Sequence, residues 1–575
     1  MTSRIQTGAC AACLLIATLA AAPAHGGISR TIDEFLTRAR PFGFSGSVLV
    51  AKHGRVLLAK GYGWADREHH VPYSRWTVFP IGSITKQFTA AAILKLEMRG
   101  LLKSSDPITK YLPGVPVDKA NITLHHLLTH TSGLQSDFGQ DYDIVTRDEF
   151  LRKVLASNLV SEPGKEFTYS NSGYGLLAAI VEIVSGVPYE RYIHDSLFVP
   201  ARMAHTGYSI PKWDRTRMVH GYVDGKDVGT PLDKMQADAG PFWNLVGNGG
   251  ILSTLDDLYR WDRALTGTAV LSDKAKHEYF TLYVSHTDES EKGYAYGWYV
   301  SSTAWHSRLM SHTGGDGVFF ATVRRYVDDD ATVLASSNIA SQWAEYVVRG
   351  GVEDILFGRS YMMPPRVVTI PGSAKGFAGR FRLDSGNTFE VAIVGDELRV
   401  TPTGQNAFQI LAGAPADKSA ILAQAQERTS MLLRERDNGN FAPLQNALSD
   451  SSSPGDLEKD WERYQSEQKS GWGQYIGFTV LGSQPAGSWI LTHVQLKFER
   501  GQVLLDYLWN GERLVGIQFS SYPGYFVFRP TSAARFASYD IRSGHSVSLG
   551  FVSEHVNNSL TVTSGYASLS AVREP

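Results

Sequence analysis

The sequence predicts an α+β protein followed by β-rich accessory structure, and three observations carry this. Strands read at both ends of segment 28–357 with helices between them, Pro364, Pro365 and Pro371 with three glycines break the pattern over 358–376, and alternating apolar residues dominate beyond that break. The chain has 575 residues, 43% hydrophobic and 19% charged, which is globular composition with room for more than one core. A net charge of −2 gives no electrostatic handle for nucleic acid, so that class of partner is excluded.

Segment 1–26 reads as an export signal. Arg4 supplies the positive start, Ala9 to Ala22 the apolar run, and Ala22-Pro23-Ala24 or Ala24-His25-Gly26 the cleavage site. The expected location is therefore periplasmic or secreted. Both cysteines, Cys10 and Cys13, fall inside this segment, so the mature chain would have no thiolate nucleophile and no cysteine-ligated zinc. The most apolar later stretch, Leu176 to Val184, is too short to span a bilayer, and no integral membrane segment is expected.

Within 28–357, Gly46 to Ala51 and Arg55 to Ala59 read as a hairpin turning at His53-Gly54. Helices follow at Gln87 to Leu96, Gly173 to Val184 and Thr254 to Ala264, the last with Asp256 and Asp257 in its first turn. Gly317 to Arg324 and Ala331 to Ser336 read as buried strands, and Trp343 to Leu356 as a closing helix. The two ends then share one sheet. Beyond the linker, 377–414 and 522–575 read as β-rich and barrel-like. Segment 415–521 reads as a helix-plus-curved-sheet unit, with helices at Ser419 to Arg434 and Leu457 to Glu467 and a type I′ hairpin at Asn510-Gly511. It is open to being an insertion, since the strands on either side are each too few to close a sheet alone.

Three short stretches carry chemistry. Ser83-Ile84-Thr85-Lys86 opens a helix and places Lys86 one turn beneath Ser83. A serine hydroxyl needs an adjacent base, which a desolvated lysine can supply, and the helix N-terminus offers a free N–H to a developing oxyanion. In Tyr169-Ser170-Asn171, a tyrosine beside an ammonium is expected to have a lowered pKa and to share the proton transfer. The asparagine carboxamide can donate to a substrate carbonyl and orient the lysine. In His312-Thr313-Gly314-Gly315, a glycine pair beside the strand from Gly317 permits close backbone approach by a ligand. Each motif alone has a bland reading as a helix cap or a turn.

In this order and spacing the three resemble the serine β-lactamase and penicillin-binding-protein superfamily, in the branch holding class C β-lactamases, D,D-carboxypeptidases, D-aminopeptidases and β-lactamase-like esterases. Leu127-Leu128-Thr129-His130-Thr131-Ser132-Gly133-Leu134 and Gly247-Asn248-Gly249-Gly250-Ile251-Leu252-Ser253-Thr254 resemble it too. The resemblance implies a β-lactamase/transpeptidase-like domain, an antiparallel sheet flanked by a helical cluster. It also implies that Ser83 is acylated, that Lys86 and Tyr169 manage its proton, and that the N–H groups of Ser83 and Gly315 form the oxyanion hole. Asn171 would contact substrate, while His312 and Thr313 would line the strand edge.

The implied activity is that of a serine hydrolase working through an acyl-enzyme on a small ester or a D-amino-acid-containing peptide, with no metal or other cofactor. D,D-carboxypeptidase or weak β-lactamase activity, and a penicillin-binding sensor without turnover, are the alternatives. Where many β-lactamases carry lysine this chain has His312, so the anchor for a substrate carboxylate is weakened and expected to depend on pH near neutrality. No Gly-x-Ser-x-Gly elbow and no His-Glu-x-x-His occur.

Overall fold

The computed structural model describes residues 25–574, apart from 224, 235–241, 286–290, 340–342, 370–375, 449–453, 487–488, 521, 541–544 and 553–558. The export-signal reading of 1–26 lies outside the described residues up to Ala24; from His25 the chain is a helix to Ala39, which the sequence reading did not include.

An eight-stranded antiparallel sheet organises the first part of the chain. Its order is Arg55–Tyr62, Gly46–Lys52, Ala331–Ser337, Phe320–Tyr326, Arg308–Gly315, Tyr299–Ser302, Gly293–Tyr294 and Val284–Ser285. Gly46–Lys52 lies against Ala331–Ser337 over its full length, from Gly46 opposite Ser337 to Lys52 opposite Ala331, so the two ends of the segment meet. Both strands are buried along nearly their whole length because each face is covered. On one side Ile32, Phe35 and Leu36 of His25–Ala39 pack with Val348, Val352 and Ile355 against Val48, Val50 and Val333. A Cβ on Gly351 would sit 2.1 Å from the Phe35 ring, so glycine is what lets these helices touch.

The other side carries the helical cluster, including Thr85–Met98, Asn171–Ser185 and Leu255–Ala264. Thr85–Met98 is buried on every side from Thr85 to Leu94, with Phe88 wedged between Phe198 and Trp261 at 5.0 and 4.8 Å between ring centroids. Such enclosure fixes the residues at its N-terminus. No single described helix is long and apolar enough to cross a membrane.

Two local readings change. The strand expected from Gly317 begins at Phe320, because Asp316 Oδ1 accepts the N–H groups of Val318 and Phe319 and Gly317 takes a φ of +86°, which makes a turn. His312-Thr313-Gly314-Gly315 is accordingly the end of the strand Arg308–Gly315, hairpinned to Phe320–Tyr326, and not a turn leading into it.

Beyond residue 376, eight strands close a barrel: Gly379–Leu383, Thr388–Val394, Glu397–Thr403, Phe526–Ser532, Arg535–Asp540, His545–Val552, Ser559–Thr563 and Ser568–Arg573, the last pairing back onto the first. Phe381, Phe389, Leu398, Phe528 and Phe551 fill its interior. Between the third and fourth strands the chain leaves the barrel for helices Gln405–Leu411, Ser419–Asp437, Ala442–Ala447 and Pro454–Trp472. A four-stranded sheet then runs from Tyr475 to Phe519. Asn510 pairs with Arg513 across Gly511, whose φ is +61°. Gln405–Leu411 joins the two bodies: Ala407, Ile410 and Leu411 enter the barrel core, while Phe408 stacks on Gly482, where a Cβ would clash at 2.2 Å.

Candidate active site

Ser83 lies in the tight turn Gly82–Ile84 that opens the buried helix, and Gly82 holds a φ of +50° that a side chain would strain. Lys86 follows one turn later, 0% exposed. Its Nζ is 2.9 Å from Ser83 Oγ, 2.7 Å from Asn171 Oδ1 and 3.0 Å from the Asn248 carbonyl oxygen. Burial brings Lys86 down from its ordinary 10.5 to about 7, against the opposing pull of Asp137 and Asp141. The partner set suits the neutral amine. Two N–H bonds can point at Asn171 and Asn248, which only accept there, leaving the lone pair for the one partner with a proton to give, Ser83.

The end of Arg308–Gly315 runs past this turn at backbone contact. A Cβ on Gly314 would lie 1.9 Å from Ile81 O and 2.9 Å from Ser83 N, and one on Gly82 would lie 2.4 Å from Gly315 N. Only glycines allow the two backbones to approach so closely. Along the ladder, Val327 N donates to Arg308 O and Asp316 N to Phe319 O, so the even-numbered residues of this strand bond to their neighbour. Thr313 and Gly315 therefore turn their backbone groups the other way. There Tyr299–Ser302 pairs only with Arg308–Ser311, leaving an open edge beside Ser83.

Asn171 begins the helix Asn171–Ser185, capped by Ser170, whose Oγ accepts from Gly173 N at 3.0 Å. Besides holding Lys86, Asn171 donates through Nδ2 to Asp137 Oδ1 at 2.8 Å. Tyr169, half-buried, is hydrogen-bonded to Ser83, and its ring centroid is 4.7 Å from Lys86 Nζ. The expectation that its pKa falls is corrected: burial pushes the phenol well above its ordinary 10, and the hydrogen bond with Ser83 offsets little of that. A lysine that is itself mostly uncharged above pH 7 gives a phenolate little support.

His312 also departs from expectation. It is 2% exposed, beneath the strand edge, with Nε2 3.1 Å from Tyr294 Oη and Nδ1 2.6 Å from the Thr313 carbonyl oxygen. Burial, with Lys86 nearby, drops its pKa to about 3, so it is neutral across the physiological range and the expected titration near neutrality is absent. Thr313, by contrast, is exposed on the edge.

The structure thus brings Ser83, Lys86, Tyr169, Asn171, Thr313 and Gly315 together and places His312 beneath them. Sequence reasoning missed the individual parts played by Asn248, His130 and Asp137. His130, fully buried, accepts from Ser170 N at 3.0 Å through Nδ1 and lies 4.3 Å from the Tyr169 ring, fixing that tyrosine from behind. His130 and Asn248 lie in the two supporting stretches, which were the available signal; Asp137 belongs to no motif.

A nucleophile-bearing turn backed by a buried lysine, facing the edge of an antiparallel sheet, defines a serine hydrolase of the β-lactamase/transpeptidase fold. The chain belongs to the beta-lactamase family, whose model matches residues 28–346. It is 29% identical over 384 residues to penicillin-binding protein 4* of Bacillus subtilis (strain 168), spanning 63% of this chain and 84% of that protein. The putative penicillin-binding protein PbpX of the same organism is 35% identical over 265 residues, spanning 46% of this chain and 63% of that protein. The octameric penicillin-binding protein homologue from Pyrococcus abyssi shares the fold, with a TM-score of 0.52 at 20% identity over 95% of this chain and 99% of that one.

Proposed function

We propose that the protein hydrolyses an ester or amide through an acyl-enzyme on Ser83. The observation that carries this is the three-partner environment of Lys86, which supports a neutral amine near pH 7 with its lone pair on the serine. Ser83 Oγ bonds to the substrate carbonyl carbon as its proton passes to Lys86 Nζ, and the oxyanion takes the N–H groups of Ser83 and Gly315. Collapse breaks the bond to the leaving oxygen or nitrogen, which takes a proton from Tyr169, replenished from the Lys86 ammonium. Water adds to the acyl ester, again losing its proton to Lys86, and releases the acid with Ser83 restored.

The site's electrostatics favour a neutral or ammonium-bearing substrate, such as a small ester or an amide of a D-amino acid. His312 supplies no fixed cation, and the carboxylates of Asp137, bonded to Asn171, and Asp141 both act on Lys86. Recognition of a free carboxylate, as a D,D-carboxypeptidase or β-lactamase requires, has less support. Export through segment 1–26 belongs to the same proposal and is tested by the N-terminus of the processed chain.

The test is a panel of chromogenic esters, D-aminoacyl anilides, D-Ala-D-Ala peptides and a chromogenic cephalosporin on wild type and Ser83→Ala. Turnover of the first two classes, abolished in Ser83→Ala, is expected. A stable adduct without turnover of any of them would establish a sensor instead.

A further inference from the structure

The catalytic part, the inserted unit and the barrel meet around a cleft of about 870 Å³ that shares no lining residue with the Ser83 site. Its size is that of a small-ligand site, roughly 300–1,000 Å³. Each body contributes aromatic side chains: Tyr222 and Trp343 from the first, Trp472 from the second, Tyr525 and Tyr539 from the third. These rings are held in place. Trp343 rests against Gly43, where a Cβ would meet it at 3.0 Å, and Trp472 packs on Phe498 at 5.8 Å. Tyr539 packs on Phe42 at 5.8 Å while its hydroxyl donates to the Met362 carbonyl at 3.2 Å, and the Arg399 guanidinium covers Tyr525 at 4.7 Å.

Several polar groups in the wall have no protein partner among the described residues, Arg529 Nε among them. Gln484, in the strand Tyr475–Ala486, is 7% exposed, and its carboxamide makes no hydrogen bond among the described residues. A carboxamide that no protein group pairs leaves both a donor and an acceptor at the cleft wall for a ligand to bond. The wall offers no lysine or arginine charge left uncompensated to hold an anion. Arg529 is the single lysine or arginine among the described lining residues, and it is ion-paired with Glu397.

Rigid aromatic faces, an unsatisfied amide and no free cation are the recognition chemistry of a neutral sugar, whose rings offer C–H faces to π-systems and hydroxyl groups to amides. We propose that this cleft binds a neutral oligosaccharide, stacked on Trp343, Trp472 and Tyr525 and hydrogen-bonded by Gln484.

The full chain is titrated with chitotriose and with cellotriose by calorimetry and tryptophan fluorescence, as wild type, Ser83→Ala, Trp472→Ala and Gln484→Leu. Saturable binding of at least one sugar, equal in wild type and Ser83→Ala, is expected, with a loss of about tenfold or more in the other two variants. Thermal melts confirm that each variant is folded, ester hydrolysis does so in addition for Trp472→Ala and Gln484→Leu, and Gln484→Leu stands alone if Trp472→Ala is not folded. No binding of either sugar up to about 10 mM, or equal binding by folded Gln484→Leu and wild type, overturns the proposal. Binding of 8-anilinonaphthalene sulfonate that Gln484→Leu leaves intact and neither sugar displaces also overturns it, in favour of an apolar ligand.

Discussion

The Asn248 carbonyl oxygen accepts a hydrogen bond from Lys86 Nζ at 3.0 Å, and this carbonyl is set by a tyrosine that touches neither group. Tyr208 Oη accepts from Gly247 N at 3.0 Å and donates to Gly249 O at 2.9 Å, bracketing Asn248 on both sides. Tyr208→Phe removes both bonds while keeping the ring against Gly250. It is expected to lower kcat/KM about tenfold and to move the acid limb of the pH profile, with KM changed little. An unchanged limb with a uniform loss would make Tyr208 merely structural.

The pH profile itself follows from three groups. Because Lys86 titrates at about 7, log kcat/KM for a neutral ester should rise with unit slope below pH 7 and level off above it. Tyr169 keeps its proton to well above pH 9, so no descending limb should appear by then. His312, neutral above about pH 3, adds no inflection, and His312→Gln is expected to change the height of the curve without moving it.

Lys86 also links activity to stability with a definite sign. Its folded pKa lies below its unfolded one, so burying the ammonium is a cost present in full below about pH 7, shrinking as pH rises toward 10.5. Lys86→Met should abolish turnover yet raise Tm, most at pH 6 and little by pH 10. The gain is of order a few kcal/mol at most, reduced by the acceptors left unpaired at Asn171 and Asn248. Melting both proteins across this range checks it.

Gly314→Ala is expected to lose most activity through geometry alone. The added methyl would meet Ile81 O at 1.9 Å, forcing the strand end off the Ser83 turn, and with it Gly315 N, the second donor of the proposed oxyanion hole. Loss of one such donor typically costs about 100- to 1,000-fold in kcat. Single-turnover acylation measures it.

Much of the catalytic half was legible in sequence, because amphipathic periodicity and glycine breaks mark elements whose cores are local. Thr85–Met98 and Asn171–Ser185 extend the expected helices by only a residue or two at each end. The helix His25–Ala39 was missed because it abuts an export-like segment and earns its place only by packing on a sheet face together with the distant Val348, Val352 and Ile355. The titration states of Tyr169 and His312 were misjudged for a related reason. Residue type sets a starting pKa, but burial is a property of the assembled surroundings, here His130, Tyr294 and the strand above. Asn248 acts through its carbonyl, and a backbone group leaves no trace in residue identity.

The acyl-enzyme on Ser83 is tested most directly by intact-mass spectrometry after brief reaction with a fluorophosphonate, followed by peptide mapping. A single adduct on the peptide carrying Ser83, absent in Ser83→Ala and slowed at least about 100-fold in Lys86→Met, is the expected result. Labelling at another residue, or undiminished labelling and ester turnover in Ser83→Ala, would contradict it.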